Sequence, residues 1–488
     1  MSTANSNRSL ARARSLTGAL LVAPVILAGC TVGPNYHRPS VNVPQNFRGA
    51  TAAAPSAEPA PQPVSFGEQS WTQVYPDQQL QQLIRTALQQ NYDVRIAATR
   101  ILQARALLGI TRADQLPSVN AGASVGSQRN PANGPIPQFE TTRGQLSLSA
   151  SWELDFWGKY RRATEAARAE LLASEWGRQA VIASLVSSVA AGYFQLRELD
   201  LELEISRRTL TSRQESLELT KTREERGINS GLDVRQAEQL VYTASSQIPD
   251  IERQIEQQEN FLSILLGNNP GEVPRGLKLT EQPHAPQVPA GLPSALLERR
   301  PDIRQAEQRL IAANARIGVA KAAYFPQITL TSVGGYQSSA LTDLFSGPAG
   351  LWNFAGALAQ PIFAGGRIKN NVRLTEAQQQ EALLFYQQTI QQSFREVSDA
   401  LVGYRKNQES RKQQELLVES ARDAARLSGL RYSAGETSYL EVLTNETNFF
   451  TAELGLAQAR LNELQSLVEL YRALGGGWEQ PASRPSSN

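Results

Sequence analysis

The chain has 488 residues, 41% of them hydrophobic and 19% charged, and Lys+Arg 48 against Asp+Glu 46 leaves a formal charge of +2. With a mean hydropathy of −0.35 it is neither a disordered chain nor a polytopic helical membrane protein, and it lacks the basic excess that nucleic acid demands. Two histidines, one cysteine and one methionine exclude zinc clusters, disulfide frameworks, Cys–His nucleophiles and haem ligation, so no cofactor is expected.

Residues 1–29 read as a signal peptide. Arg8, Arg12 and Arg14 precede an uncharged stretch from Leu16 to Gly29 that is too short to be a comfortable spanning helix. It ends in Leu27-Ala28-Gly29-Cys30, which resembles a bacterial lipobox, where the cysteine takes an N-acyl and S-diacylglycerol lipid; Thr31 in the next position favours the outer membrane. Residues 30–70 carry Pro34, Pro39, Pro44, Pro55, Pro59, Pro61 and Pro63 and read as a lipidated, extended tether. Beyond Gly29 no stretch approaches the 18 or so apolar residues of a spanning helix, so any crossing of lipid must be made by β-strands of a closed barrel.

From Trp71 the pattern becomes helical and then repeats itself. Asp93-Val94-Arg95 matches Asp302-Ile303-Arg304 and Leu116-Pro117 matches Phe325-Pro326; further on, Gly227 matches Gly435, Val234 matches Val442 and Leu266-Gly267 matches Leu474-Gly475. A period this long is a duplicated half rather than a solenoid. The first structural repeat covers 71–270, a Pro-rich linker 271–291, and the second repeat 292–478, with a disordered tail over 479–488.

Each repeat reads as a helix, two strands and two long helices. Residues 145–154 alternate apolar and polar at every step, the period of a strand with one apolar face, and 117–126 do so more weakly; their counterparts are 327–337 and 351–360. These strands make hairpins over 117–154 and 327–360. At about ten residues each they suit a tilted membrane strand, although period alone leaves a soluble hairpin equally open. No proline falls between Pro137 and Pro249 or between Pro361 and Pro481, which permits helices over 158–226 and 366–433, each roughly 100 Å long at about 1.5 Å per residue. Gly227 and Gly435 sit where these helices turn back, and return helices follow over 232–266, with a bend allowed at Pro249, and 439–474. Four membrane strands cannot close a barrel, so two, three or four chains are needed; spacing does not choose among them.

At this point six stretches carry a resemblance: Cys30–Pro39 (CTVGPNYHRP), Ser151–Gly158 (SWELDFWG), Leu297–Asp302 (LERRPD), Ala312–Lys321 (AANARIGVAK), Gln360–Gly366 (QPIFAGG) and Ala473–Trp478 (ALGGGW). The chain resembles the TolC-type outer-membrane factor family, in its lipoprotein branch of NodT/OprM-like exit ducts. The resemblance implies a mainly α fold with membrane β: a homotrimeric 12-stranded β-barrel, four strands per chain, continuing into a long α-helical coiled-coil tunnel through the periplasm. It also implies an efflux duct that conducts small molecules passively, with a periplasmic adaptor and an inner-membrane RND transporter as partners and outer-membrane lipid around the barrel. A duct for type I protein secretion and a structural coiled-coil lipoprotein are the alternatives.

The family's gate carries over to Asp233 and Tyr432 as a latch and to Leu440, Glu441 and Thr444 as a constricting ring. The tips Gly227, Ser230, Gly231, Gly435 and Ser438 resemble the surface that meets an adaptor's helical hairpin. Thr444 stands where the branch commonly carries Asp, so the acidic ring would rest on Glu441. Three anionic side chains at a waist would repel one another and attract cations, while leucines would dewet it. For Asp233 the plainer role is a helix cap, and for Leu440 coiled-coil core. Arg300-Pro301-Asp302 reads as a helix opening. Gly122-Ala-Ser124-Val-Gly126 fits a nucleophile elbow in letters alone, since Ser124 lies inside an alternating strand and the downstream histidine is His284 of the linker; no enzyme is expected.

Overall fold

The computed structural model describes residues 31–48, 65–135, 137–283, 288 and 293–478. The signal peptide 1–29, Cys30, residues 49–64 of the tether, His284 and the tail 479–488 lie outside the described residues. In chain order the elements are helices α1 (Trp71–Val74), α2 (Gln78–Gln90) and α3 (Tyr92–Ala113), strands β1 (Ser118–Asn130) and β2 (Phe139–Glu153), then helices α4 (Lys159–Glu225) and α5 (Gly231–Leu265). After α6 (Pro293–Arg299) and α7 (Pro301–Ala322) come β3 (Gln327–Ser338), β4 (Gly350–Ala359), α8 (Arg367–Ser433) and α9 (Tyr439–Ala473). Pro249 lies within α5 without ending it.

The chain forms two compact units, one of residues 1–40, 100–174 and 306–386 and the other of 41–99, 175–305 and 387–488. These do not follow the sequence repeats 71–270 and 292–478. Each unit draws on both repeats: strands pair within each copy, and the β2–β3 pairing joins the two copies into one sheet.

In the first unit the four strands form one antiparallel sheet in the order β1-β2-β3-β4, with β2 and β3 joining the two repeats. The register sorts the side chains. Leu146, Leu148 and Ala150 of β2 stand opposite Ala123, Ala121 and Val119 of β1, and Trp152 stands opposite Leu330 of β3. Leu330, Ser332 and Gly334 of β3 in turn face Gly356, Phe354 and Trp352 of β4. Directly paired residues share a face, so one side of the sheet is mainly aliphatic and aromatic while the other carries Asn120, Ser124, Gln145, Ser147, Ser149 and Thr331. The apolar side is uncovered: Trp352 is 85% exposed, and Leu148, Phe354 and Leu358 are exposed beside it. Among the described residues nothing pairs with the outer edges of β1 and β4, and an uncovered apolar sheet with free edges is stable in neither water nor lipid as a single copy. At 13 and 15 residues, β1 and β2 are longer than the ten or so residues the alternation suggests, since their pairing continues to Asn130 opposite Phe139.

The tether's first described residues are docked against α4. Arg162 of α4 donates to the carbonyl oxygens of Val32 and Gly33 at 3.4 and 3.3 Å and to Asn35 Oδ1 at 2.7 Å, and the Val32 amide donates to the Trp157 carbonyl at 3.0 Å. Gly33 adopts φ 104° where its Cα side abuts Gly318, so a side chain at either glycine would strike backbone. Tyr36 and Arg38 both reach Glu307. An extended, proline-rich segment has unpaired carbonyls, and a buried arginine with five donors is well suited to collect them.

The second unit has the large core. Trp71, Tyr75, Leu80, Ile84, Tyr193, Leu262 and Tyr471 are almost fully buried in it, with Tyr75 and Phe66 edge-on to Tyr471 at 5.9 and 5.5 Å. The core also takes the tether residues Phe47 and Phe66. Asp77 organises one end: Oδ1 accepts from the Gln79 and Leu80 amides and caps α2, while Oδ2 accepts from Tyr193, the Leu277 amide and Gln282 at 2.8–3.0 Å. Arg300 donates to Asp302, Glu396 and the Ala473 carbonyl as α7 opens at Pro301. One stretch of α4 departs from the expectation that nothing beyond Gly29 is apolar enough to span: an 18-residue window passes by length and composition, and 61% of it is buried. Its Val186, Val189, Ala190 and Tyr193 lie in this core, which accounts for the apolarity without a membrane.

Candidate functional site

The candidate gate and tip residues lie where α4 turns into α5 and where α8 turns into α9. Both helices end alike. Gly227 and Gly435 take φ 76° and 80°, and their amides return to Glu224 and Tyr432 carbonyls at 2.8 and 3.0 Å. The next amides, Ile228 and Glu436, reach back to Arg223 and Arg431 at 2.9 Å each. This paired bonding satisfies the last carbonyls of each helix, and only glycine enters the left-handed conformation without strain.

Beyond the glycines the two turns diverge. Ser230 accepts from the Asp233 amide at 3.3 Å while its own amide donates to Asp233 Oδ2 at 3.0 Å, a reciprocal cap at the start of α5, which begins at Gly231. Ser438 makes no side-chain cap at the start of α9. There Glu441 turns aside: Arg431 donates to it at 2.7 Å and the Thr437 hydroxyl also donates to it. Thr444 donates to the Leu440 carbonyl at 2.9 Å, so its hydroxyl is held by its own helix.

Of the expected latch pair, Tyr432 receives the Asn229 amide rather than a bond from Asp233 within the chain. The Arg223 guanidinium lies 5.2 Å over the Tyr432 ring, which meets Tyr439 edge-on at 5.2 Å. Burial, together with the charge of Asp233, pushes the Tyr432 hydroxyl above its ordinary range, with Asn229 and Arg223 opposing. Below them Leu217, Val234, Ala237, Leu240, Tyr439 and Val442 form a small core. Leu440 is not part of it; it is 54% exposed, as is its counterpart Leu232 at 64%, so neither leucine is coiled-coil core in the single chain. Asn229, Arg223 and Arg431 were not singled out from the sequence, because partners that meet only when a helix folds back leave no spacing signal.

A family model described as outer membrane efflux protein matches residues 83–268 and 292–476. The chain belongs to the outer membrane efflux protein family. It is 39% identical over 467 residues to the probable efflux pump outer membrane protein TtgC of Pseudomonas putida, covering 94% of this chain and 95% of that relative. It is 35% identical over 460 residues to the cation efflux system protein CusC of Escherichia coli, covering 93% and 97%. Among solved structures, the open state of the Neisseria gonorrhoeae MtrE outer membrane channel is similar with a TM-score of 0.84 at 32% identity, covering 93% of this chain and all of that one. The fold class is therefore that of the trimeric channels of this family: mainly α with a four-stranded membrane sheet. This efflux protein is an exit duct of a tripartite efflux system, placed in the outer membrane and extending into the periplasm. Family members are channels and ducts rather than enzymes; Ser124 lies in mid-strand on the polar face of the sheet, opposite Gln145.

Proposed function

We propose that three copies of this chain join β1 to β4 edges into a 12-stranded barrel and conduct small molecules, drugs among them, delivered by an inner-membrane RND transporter through a periplasmic adaptor. The observation that carries this is the sheet: its large aliphatic and aromatic residues gather mainly on one face, its polar residues mainly on the other, and nothing among the described residues pairs with its two outer edges. Lipid accepts such a sheet only when the edges close and the polar face lines water. Adaptor hairpins would meet the turns at Gly227, Ser230, Gly231, Gly435 and Ser438, and Cys30 would carry the N-acyl and S-diacylglycerol lipid that adds an anchor. Native mass spectrometry of protein extracted from outer membranes, with negative-stain images, tests the reading. A mass of three lipidated chains and threefold end views are expected; a monomer without rotational symmetry would sink it.

For the gate we propose a weakly charged waist. Leu440 and its neighbours would narrow the channel, with Asp233 and Tyr432 holding adjacent helix pairs together. Because each Glu441 is already paired with Arg431, three copies would present three ion pairs rather than three bare carboxylates, with Thr444 adding no charge. Single-channel recordings should show little cation preference in the native protein and a clear one in Arg431→Gln. A strong preference in the native channel would argue for an unpaired ring.

A further inference from the structure

The register that sorts the sheet into two faces also sorts its charges. On the apolar face Arg129 and Glu140 stand opposite each other and pair at 3.2 Å. Along the four strands the polar face carries Arg143 and Glu153 as its charged residues. Glu153 is neutralised: Lys159 donates to it at 2.9 Å and the Tyr160 hydroxyl at 2.7 Å. Arg143 is exposed, and its side chain has no ion-pair partner among the described residues. It stands opposite Gly126, where an added methyl would meet nothing within 4 Å, and the next pair on this face, Ser124 with Gln145, is uncharged. Asp343 in the β3–β4 connection does not answer it. That connection leans over the apolar face, where Phe345 meets Tyr336 edge-on at 5.8 Å.

We propose that Arg143 makes the outer mouth of the channel an anion-attracting ring. The inference rests on the three-chain barrel proposed above, in which the polar face lines water. The helical ends of the strands lead into the periplasm, so the β1–β2 and β3–β4 connections are external, and Arg143, four residues into β2 from Phe139, lies near the outer mouth. Three chains set three guanidiniums at one level. The nearest carboxylate on that face, Glu153, is ten residues deeper, about 34 Å along the strand. Twelve strands about 4.8 Å apart and tilted about 40° give a backbone ring of roughly 12 Å radius. The Debye length is about 30 Å at 10 mM salt and about 3 Å at 1 M, so the field fills this lumen in dilute salt and retreats to the wall in concentrated salt. Arginine keeps its charge at any working pH. Small anions are therefore enriched at the mouth and small cations depleted, whatever the gate does at the far end.

The test is thiol labelling of Ser124→Cys, on the polar face one pair inside the ring, in whole cells held in sucrose. The external probes are 2-sulfonatoethyl methanethiosulfonate, an anion, and 2-(trimethylammonium)ethyl methanethiosulfonate, a cation. Cys30 is the chain's one natural cysteine, and protein without Ser124→Cys gives the background. The ratio of anionic to cationic labelling rates is the readout. Adding Arg143→Gln should lower that ratio at least about threefold at about 10 mM salt, Arg143→Glu should lower it further, and the three ratios should converge at about 1 M. Labelling at both salts with a ratio that Arg143→Gln and Arg143→Glu leave unchanged overturns the ring while the barrel stands. Failure of both probes to label Ser124→Cys in folded protein means that the polar face does not line an externally open lumen, and overturns the barrel and the ring together. Reversal potentials across a planar bilayer in an about tenfold KCl gradient give a second readout: Arg143→Glu should shift the selectivity from chloride toward potassium, and no shift counts against the ring.

Discussion

The two helix turns share a backbone and differ in chemistry. At matched positions Gly227 stands with Gly435, Ser230 with Ser438, Gly231 with Tyr439, Leu232 with Leu440, and Asp233 with Glu441. The glycines and the returning amides are the same in both. Yet the first turn holds its carboxylate in a cap, whereas the second holds its own in an ion pair with Arg431 and buries a tyrosine where the first has only glycine. Duplication preserved the device that reverses the chain and released the side chains around it. The first turn is a helix end with a strong local start; the second depends on packing and sets its carboxylate against Arg431.

The largest expected difference lies at Tyr439. Tyr439→Ala removes a buried ring from the tip core and should lower local stability by about 3–5 kcal/mol, read as faster amide exchange around both turns, while Leu232→Ala at an exposed site should change it by less than about 0.5 kcal/mol. Equal effects would mean the two turns are supported alike. Next, Gly227→Ala and Gly435→Ala should each cost about 1–2 kcal/mol from backbone strain, since neither site has a neighbour for the new methyl to strike. A clear inequality between them would show that the shared backbone is not equally used.

Smaller effects separate the caps and charges. Ser230→Ala should cost about 1 kcal/mol by undoing the reciprocal cap, and Ser438→Ala close to nothing, in thermal or exchange measurements. Titration gives the last contrast. Tyr432 and Tyr439 are both raised above 10.0, chiefly by burial, so their neutral forms favour the folded turn. A group raised on folding contributes fully below its unfolded pKa and loses that contribution as pH climbs through the folded value. Exchange at the second turn should therefore accelerate above about pH 10 more than at the first. A parallel acceleration at both turns would break the contrast.

Much of the architecture is visible in residue order. Strand alternation at 145–154, the two proline-free stretches and the turning glycines all state local preferences that the folded chain keeps, because period and backbone conformation are properties of neighbours in sequence. The lengths of β1 and β2 are not visible, since the residues from Arg129 to Glu140 are held by cross-strand pairing rather than by their own alternation. Nor is the docking of the tether, which waits on Arg162 more than a hundred residues away.

The candidate site divides the same way. The sequence determined where the chain reverses and which side chains stand beside each reversal, together with the duplication that sets the two turns in parallel. Only the tertiary structure decided that Glu441 meets Arg431 and that Asn229 donates to the Tyr432 hydroxyl. Those pairings join residues brought together by helices folding back on one another. Their partners are chosen by packing across the fold, and a linear pattern of residues does not encode it.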